Sequence, residues 1–121
     1  MKIKKIKIGI KDVKTALDDF VKTGEAIERG ERVKAEKGLY FTSFEVFRKA
    51  LTPKRLELLR LIKTQKPRSI NELARIAKRD VKNVADDVKY LHQIGLVETK
   101  KTDHKTAPVI KYDRIALEIA V

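Results

Sequence analysis

The sequence predicts an α+β fold, a winged helix-turn-helix with an N-terminal strand-helix arm and a C-terminal strand. Three observations lead there. Apolar residues alternate at both ends of the chain. Helical periodicity fills the interior. A helix, a short turn and a second helix in "SINELARIAKRDVKNVADDVKYLHQIG" are followed by two short apolar stretches around a polar loop.

"IKIGI" sets Ile6, Ile8 and Ile10 at alternate positions, the period of a strand with one apolar face. "IALEIAV" repeats the pattern with Ile115, Leu117, Ile119 and Val121. The two end strands invite pairing, within the chain or across a dimer. From Asp12 to Arg29 the period is helical: Val13, Leu17, Phe20, Gly24 and Ile27 recur at three- and four-residue steps, and Gly30 is a natural stop. That stripe must cover the chain's own core or a second copy. "ERVKAEKG" reads as a polar connector.

Thr42 and Glu45 have the spacing of a capping box, with Phe44, Phe47 and Leu51 on one face behind it. Thr52 and Pro53 then open a further helix, as N-cap and first residue. Its apolar residues, Leu56, Leu58, Leu59, Leu61 and Ile62, spread over more than half the circumference, which predicts contact from two sides. "KPRS" breaks it. Ser69 and Glu72 form another capping box, and Ile70, Leu73, Ala74 and Ala77 face inward. "AKRD" is the turn, with Lys78 where glycine is common, which suggests a looser turn. Asp80 caps the helix Asp80–Ile94, whose buried stripe is Val81, Val84, Ala85, Val88 and Leu91, and Gly95 ends it. His92 reads as a core residue of that helix. "LVETKK" and "PVIKY" are the strands of a wing, with residues 100–106 at its tip. Residues 1–38 are thus expected to form the arm, a candidate dimerisation element. Residues 39–121 form the winged domain with its C-terminal strand.

Composition narrows the function. The formal charge is +12, from 29 basic and 17 acidic residues among 121, which suits a polyanionic partner. Residues 39–66 are the most basic stretch, with 7 basic against 2 acidic side chains. There is no cysteine, and the two histidines, His92 and His104, have no zinc spacing. No Gly-rich phosphate loop follows a strand, and no Ser-His-Asp set is present. The acid pairs Asp18/Asp19 and Asp86/Asp87 are adjacent residues on exposed helix faces, so they do not face one another. The expectation is a protein that is not an enzyme and needs no cofactor or metal. The basic start never becomes an apolar run, so neither a signal peptide nor a membrane span is expected, and the location is expected to be cytoplasmic.

The second helix of a helix-turn-helix is held by one face and offers the other to the major groove. Here Lys82, Asn83, Asp86, Tyr90 and Gln93 lie opposite the apolar stripe. Lysine can read guanine O6 and N7, and asparagine can pair with adenine, so Lys82 and Asn83 are the base-reading candidates. Arg75 and Arg79 are backbone candidates, Lys89 and Tyr90 are further DNA-binding candidates, and Arg68 and Ser69 can meet phosphate at a helix start. Lys100, Lys101, His104 and Lys105 belong to the wing. Asp86 must accept from cytosine N4 or point away from phosphate.

These segments, "YFTSFEVFRKALTPKRLELLRLIK", "SINELARIAKRDVKNVADDVKYLHQIGLVE" and "APVIKYDRIALEIAV", together with the arm "IKIGIKDVKTALDDF", resemble an archaeal and bacterial group of predicted winged-helix transcriptional regulators. That group is loosely similar to multiple-antibiotic-resistance-type repressors. Arg79, Asp80, Lys82, Asn83, Val84 and Val88 match its recognition-helix pattern. The resemblance implies a homodimer that binds double-stranded DNA. Some members are described as antitoxins encoded beside a small toxin, so a protein toxin is a rival partner. A winged module for protein interaction or RNA is the other rival. A small partner copurifying with the chain would favour the first, and sequence-indifferent binding the second.

Overall fold

A computed structural model describes residues 4–32 and 38–121. Most of the connector, residues 33–37, lies outside them. The chain divides into two compact units, Met1–Ala50 with Arg114–Val121, and Leu51–Asp113. The division differs from the one expected at residue 38. Residues 39–50 and the C-terminal strand belong with the arm, because that strand pairs with the first one.

The first unit holds strand β1 (Lys5–Ile10), helix α1 (Val13–Glu28), strand β2 (Gly38–Phe41), helix α2 (Phe44–Ala50) and, from the far end of the chain, strand β5 (Arg114–Ile119). The sheet order is β2-β1-β5, with both pairings parallel. The central strand is hydrogen-bonded on both edges, and its Ile8 and Ile10 are buried, as is Phe41 on β2. Gly38 is needed where it stands, since a Cβ there would lie 2.7 Å from the carbonyl oxygen of Lys7 on the paired strand. The Asp12 carboxylate accepts from the Thr15 N–H at 2.7 Å and starts α1, a bond that holds its carboxyl below the usual range. Gly30, at φ +79°, ends it. No residue of α1 is buried, so among the described residues its apolar stripe is left uncovered. The capping box at α2 is shifted by one residue. Ser43, not Thr42, accepts from the Val46 N–H, and Glu45 pairs with Arg48. Phe44 is exposed, while Phe47 is half-buried and edge-on to Phe41.

The second unit holds α3 (Pro53–Gln65), α4 (Ile70–Ala77), α5 (Val81–Gln93), β3 (Glu98–Thr102) and β4 (Lys105–Val109). Three helices followed by an antiparallel hairpin form a winged helix-turn-helix. Thr52, Ser69 and Asp80 cap the three helices as their sequences require. The core joins Leu58, Leu59 and Ile62 of α3, Leu73 and Ala74 of α4, and Val84, Val88 and Leu91 of α5 with Leu96, Val97 and Ile110. The stripe of α3 is narrower than its leucine content suggests, because Leu56 is exposed. Val81 is exposed too, and leaves the expected stripe of α5. The strands begin later than the apolar residues do. Leu96 and Val97 are buried ahead of β3, and β4 is centred on Thr106–Pro108 rather than on "PVIKY".

His92 is exposed rather than a core residue; its Nδ1 lies 2.8 Å from the Val97 carbonyl oxygen. Tyr112 donates its hydroxyl to the Leu96 carbonyl at 2.7 Å, and burial pushes its pKa up to about 12. The folded state therefore keeps a proton that the unfolded chain releases near pH 10. This contribution to stability is complete below pH 10 and is lost as the pH climbs toward 12. Tyr112→Phe should cost about 1 kcal/mol at neutral pH through the lost hydrogen bond and flatten the alkaline fall in melting temperature. An unchanged alkaline slope in calorimetry would assign that fall to other groups.

Candidate nucleic-acid interface

The turn between α4 and α5 is tight, and its chemistry explains why. Lys78 takes a left-handed conformation, φ +55°, where the sequence suggested a looser connection. Its N–H donates to the Arg75 carbonyl at 3.2 Å, and the Arg79 N–H donates to the Ala74 carbonyl at 3.0 Å. These bonds close the last turn of α4 and leave Arg79 and Asp80 to lead into α5. A lysine in that conformation is strained where glycine would not be.

Asp87 locks the motif from beneath. It lies nearly two turns into α5 and is half-buried, not exposed as its sequence neighbourhood suggested. Its Oδ1 accepts from Arg55 Nε at 3.1 Å, and its Oδ2 from Arg79 Nη2 at 2.8 Å. All three side chains are only about one-fifth exposed. Arg55 also lies over the Tyr90 ring, 4.1 Å from its centroid. One carboxylate thus ties α3 to the turn and to α5. Two candidate DNA contacts are turned inward by this arrangement. Arg79 is directed to Asp87, and Tyr90 is half-covered by Arg55.

With Val84, Val88 and Leu91 buried, the outward stripe of α5 is Lys82, Asp86, Lys89 and Gln93, with Asn83 at its border. These positions recur at four- and three-residue steps, so they share one face. Asp86 therefore projects between the lysines rather than away from them. At the start of α5 the Asp80 carboxylate accepts from the Asn83 N–H at 3.3 Å. That end of the helix already has an anion, which weakens it as a phosphate site. Ser69 likewise accepts from the Glu72 N–H with its hydroxyl. Arg75 is exposed and borders a concavity of about 450 Å³ with Asn71, Lys78 and Val81.

The wing is a two-residue hairpin. Asp103 and His104 both have positive φ, +44° and +66°, which matches the right-handed twist of the flanking strands. Every residue of β3 is exposed. Side chains alternate across a hairpin, so Lys100 and Lys105 share a face and Lys101 takes the other. On the first face a cleft of about 600 Å³ gathers Arg68, Lys100 and Lys105 together with Lys63 and Lys66. Of these, Lys63 is paired with Asp113 at 3.1 Å. Sequence reasoning found Arg68, Lys100 and Lys105 but not Lys63 or Lys66. The only sequence signal for those two was the dense positive charge of residues 39–66. Lys66 ends α3 in the left-handed region, φ +47°, and this turns the chain toward Arg68. Among the described residues no three His, Asp or Glu side chains gather as metal ligands, and no helix is long and apolar enough to cross a membrane.

A family model, HVO_A0114, matches residues 50–117, more than half of the chain. The chain belongs to the HVO_A0114 family. The match takes in the whole helix-turn-helix and wing. Among solved structures, the chain is similar to the predicted DNA-binding transcriptional regulator from E. coli. The two are 18% identical with a TM-score of 0.50, over 77% of this chain and 84% of that one. Another similar structure is the homodimeric winged helix-turn-helix DNA-binding domain of Mb0332 from Mycobacterium bovis, a possible ArsR-family transcriptional regulator. It is 20% identical with a TM-score of 0.47, over 82% of this chain and 70% of that one. No curated protein matches the chain.

Proposed function

We propose that this member of the HVO_A0114 family is a transcriptional regulator that binds double-stranded DNA as a homodimer and reads its sequence. In this reading α5 enters the major groove and the β3–β4 wing rests on the backbone. The observation that carries it is the division of α5. Val84, Val88 and Leu91 fix one face, and Lys82, Asn83, Asp86 and Lys89 are presented together on the other. The fold shared with a predicted DNA-binding regulator supports it. Lys82 reads guanine and Asn83 adenine through the base-edge code. Asp86 accepts from cytosine N4 and repels phosphate, so it favours specific over loose binding. Arg68, Arg75, Lys100, Lys101, His104 and Lys105 supply backbone contacts, joined by Lys66 at the cleft.

The test is binding of the purified protein to the DNA upstream of its own gene and to a shuffled fragment, across salt, with competitor DNA present. A preference for the native fragment that persists as salt rises is the expected result. Equal binding to both, falling steeply with salt, would mean that charge alone is at work and would sink the specificity claim. A small protein copurifying with the chain would then move the antitoxin reading ahead.

A further inference from the structure

The apolar face of α1 is the largest feature that the DNA reading leaves unused. Val13, Leu17, Phe20, Val21 and Ile27 are each more than half exposed, and Phe20 is 77% exposed. Scattered apolar residues on a surface need no explanation, but an unbroken stripe does. Val13, Leu17, Phe20, Gly24 and Ile27 follow one another at steps of four, three, four and three, the seam of a two-stranded coiled coil. Gly24 adds a second observation. It stands in the middle of a helix, where glycine is destabilising relative to alanine. Among the described residues nothing requires it, because a Cβ there would meet no atom within 4 Å.

We propose that this face docks on the same face of a second copy, with the two α1 helices antiparallel and the two-fold axis crossing between them at the height of residue 22. The proposal deepens the homodimer of the reading above by naming its interface. Three features of the helix agree on that orientation. An axis near residue 22 sets Phe20 of one copy against Gly24 of the other, so the bulkiest side chain meets the position without one. It sets Leu17 against Ile27. On one flank, Lys14 comes opposite Glu28 of the second copy, and Val21 meets its own counterpart across the axis. On the other flank the helix carries only the small residues Ala16 and Thr23, which lets the helices approach. A parallel pairing loses all of this. Phe20 would crowd Phe20, Gly24 would face Gly24 across a void, and Lys14 and Glu28 would have no opposite charge to meet. The antiparallel contact is isologous, so it closes at two copies.

The chain has no cysteine, so single cysteines report the geometry without interference. Molar mass from light scattering at about 100 μM should be that of a dimer, as expected for a micromolar interface. Phe20→Glu should raise the dissociation constant about 30-fold or more, as loss of a central anchor does. Because Phe20 is exposed in its own chain, the helical circular dichroism should not change. Lys14→Glu should also weaken the dimer, and Lys14→Glu combined with Glu28→Lys should restore it. Val21→Cys should be joined to its counterpart by a short bis-maleimide. Leu17→Cys should not, since its two copies would be about 15 Å apart along the axis. A monomer at that concentration would overturn the proposal. So would an unchanged mass for Phe20→Glu, or linking of Leu17→Cys without Val21→Cys. All these readouts are taken without DNA, so failure of the DNA reading would leave them standing, and their failure would leave DNA binding to be judged on its own.

Discussion

Replacing Asp87 with alanine is expected to destabilise the winged unit by about 3 kcal/mol, the order found when one member of a buried ion pair is removed. The cost does not come from the loss of one bond. Arg55 and Arg79 both direct their guanidinium groups at this carboxylate, at 3.1 and 2.8 Å. Arg79 Nη1 is already buried without an acceptor among the described residues. Without Asp87 two largely covered cations would lose the carboxylate they share. For a chain of this size the loss corresponds to a fall of roughly 10 °C in melting temperature. Asp86→Ala is the control. That carboxylate is exposed on the outer stripe, and its removal should change stability by no more than about 0.5 kcal/mol. The pair can be compared by urea titration. Equal midpoints for the two variants would show that the Arg55–Asp87–Arg79 cluster does not hold the motif together. The destabilisation should also persist in high salt, because covered pairs are screened little.

Asp86 and Asp87 also show where sequence reading stops. Side by side in the chain they look alike, and both were expected on an exposed face. On the helix they point about 100° apart, as any adjacent residues do. That difference decides which of them meets Arg55, which is 32 residues away in sequence. Nothing local announces such a partner. What was legible was local. The caps at Thr52, Ser69 and Asp80 and the stop at Gly95 depend on residues within one turn of each other, and all four stand where the sequence puts them. The shift from Thr42 to Ser43 has the same origin, since two adjacent hydroxyls can each cap and only the path of the backbone selects one. The placement of β5 beside β1 depends on residues more than a hundred positions apart, which alternation alone cannot pair. Arg79 and Tyr90 illustrate the matter for the site. Their residue types suit DNA, but the fold directs both toward neighbours in the same chain. Lys66 is the converse case. It was not singled out by its neighbours in sequence, yet the left-handed end of α3 brings it to the cleft with Arg68, Lys100 and Lys105.

The division between reading and holding DNA can be tested by comparing two double variants. Lys82→Ala with Asn83→Ala removes the proposed base-reading donors from an exposed face of α5, so the fold should be retained. Each good bidentate pair is worth about 1–3 kcal/mol of discrimination. The preference for the native upstream fragment over the shuffled one should therefore fall about 100-fold or more. Binding to the shuffled fragment should change far less. Lys100→Ala with Lys105→Ala removes two cations from the wing side of the cleft and should do the opposite. Affinity for both fragments should drop together, and the dependence of log K on log salt should become shallower by about two. Asp86→Ala tests the third element of the outer stripe. Removing a carboxylate that stands between Lys82 and Lys89 should tighten binding to the shuffled fragment and relax the choice at one cytosine. If the wing variant lost preference while the α5 variant kept it, the assignment of reading to α5 and holding to the wing would have to be reversed. That pattern would place the specificity in Lys100 and Lys105, on the cleft face of the wing.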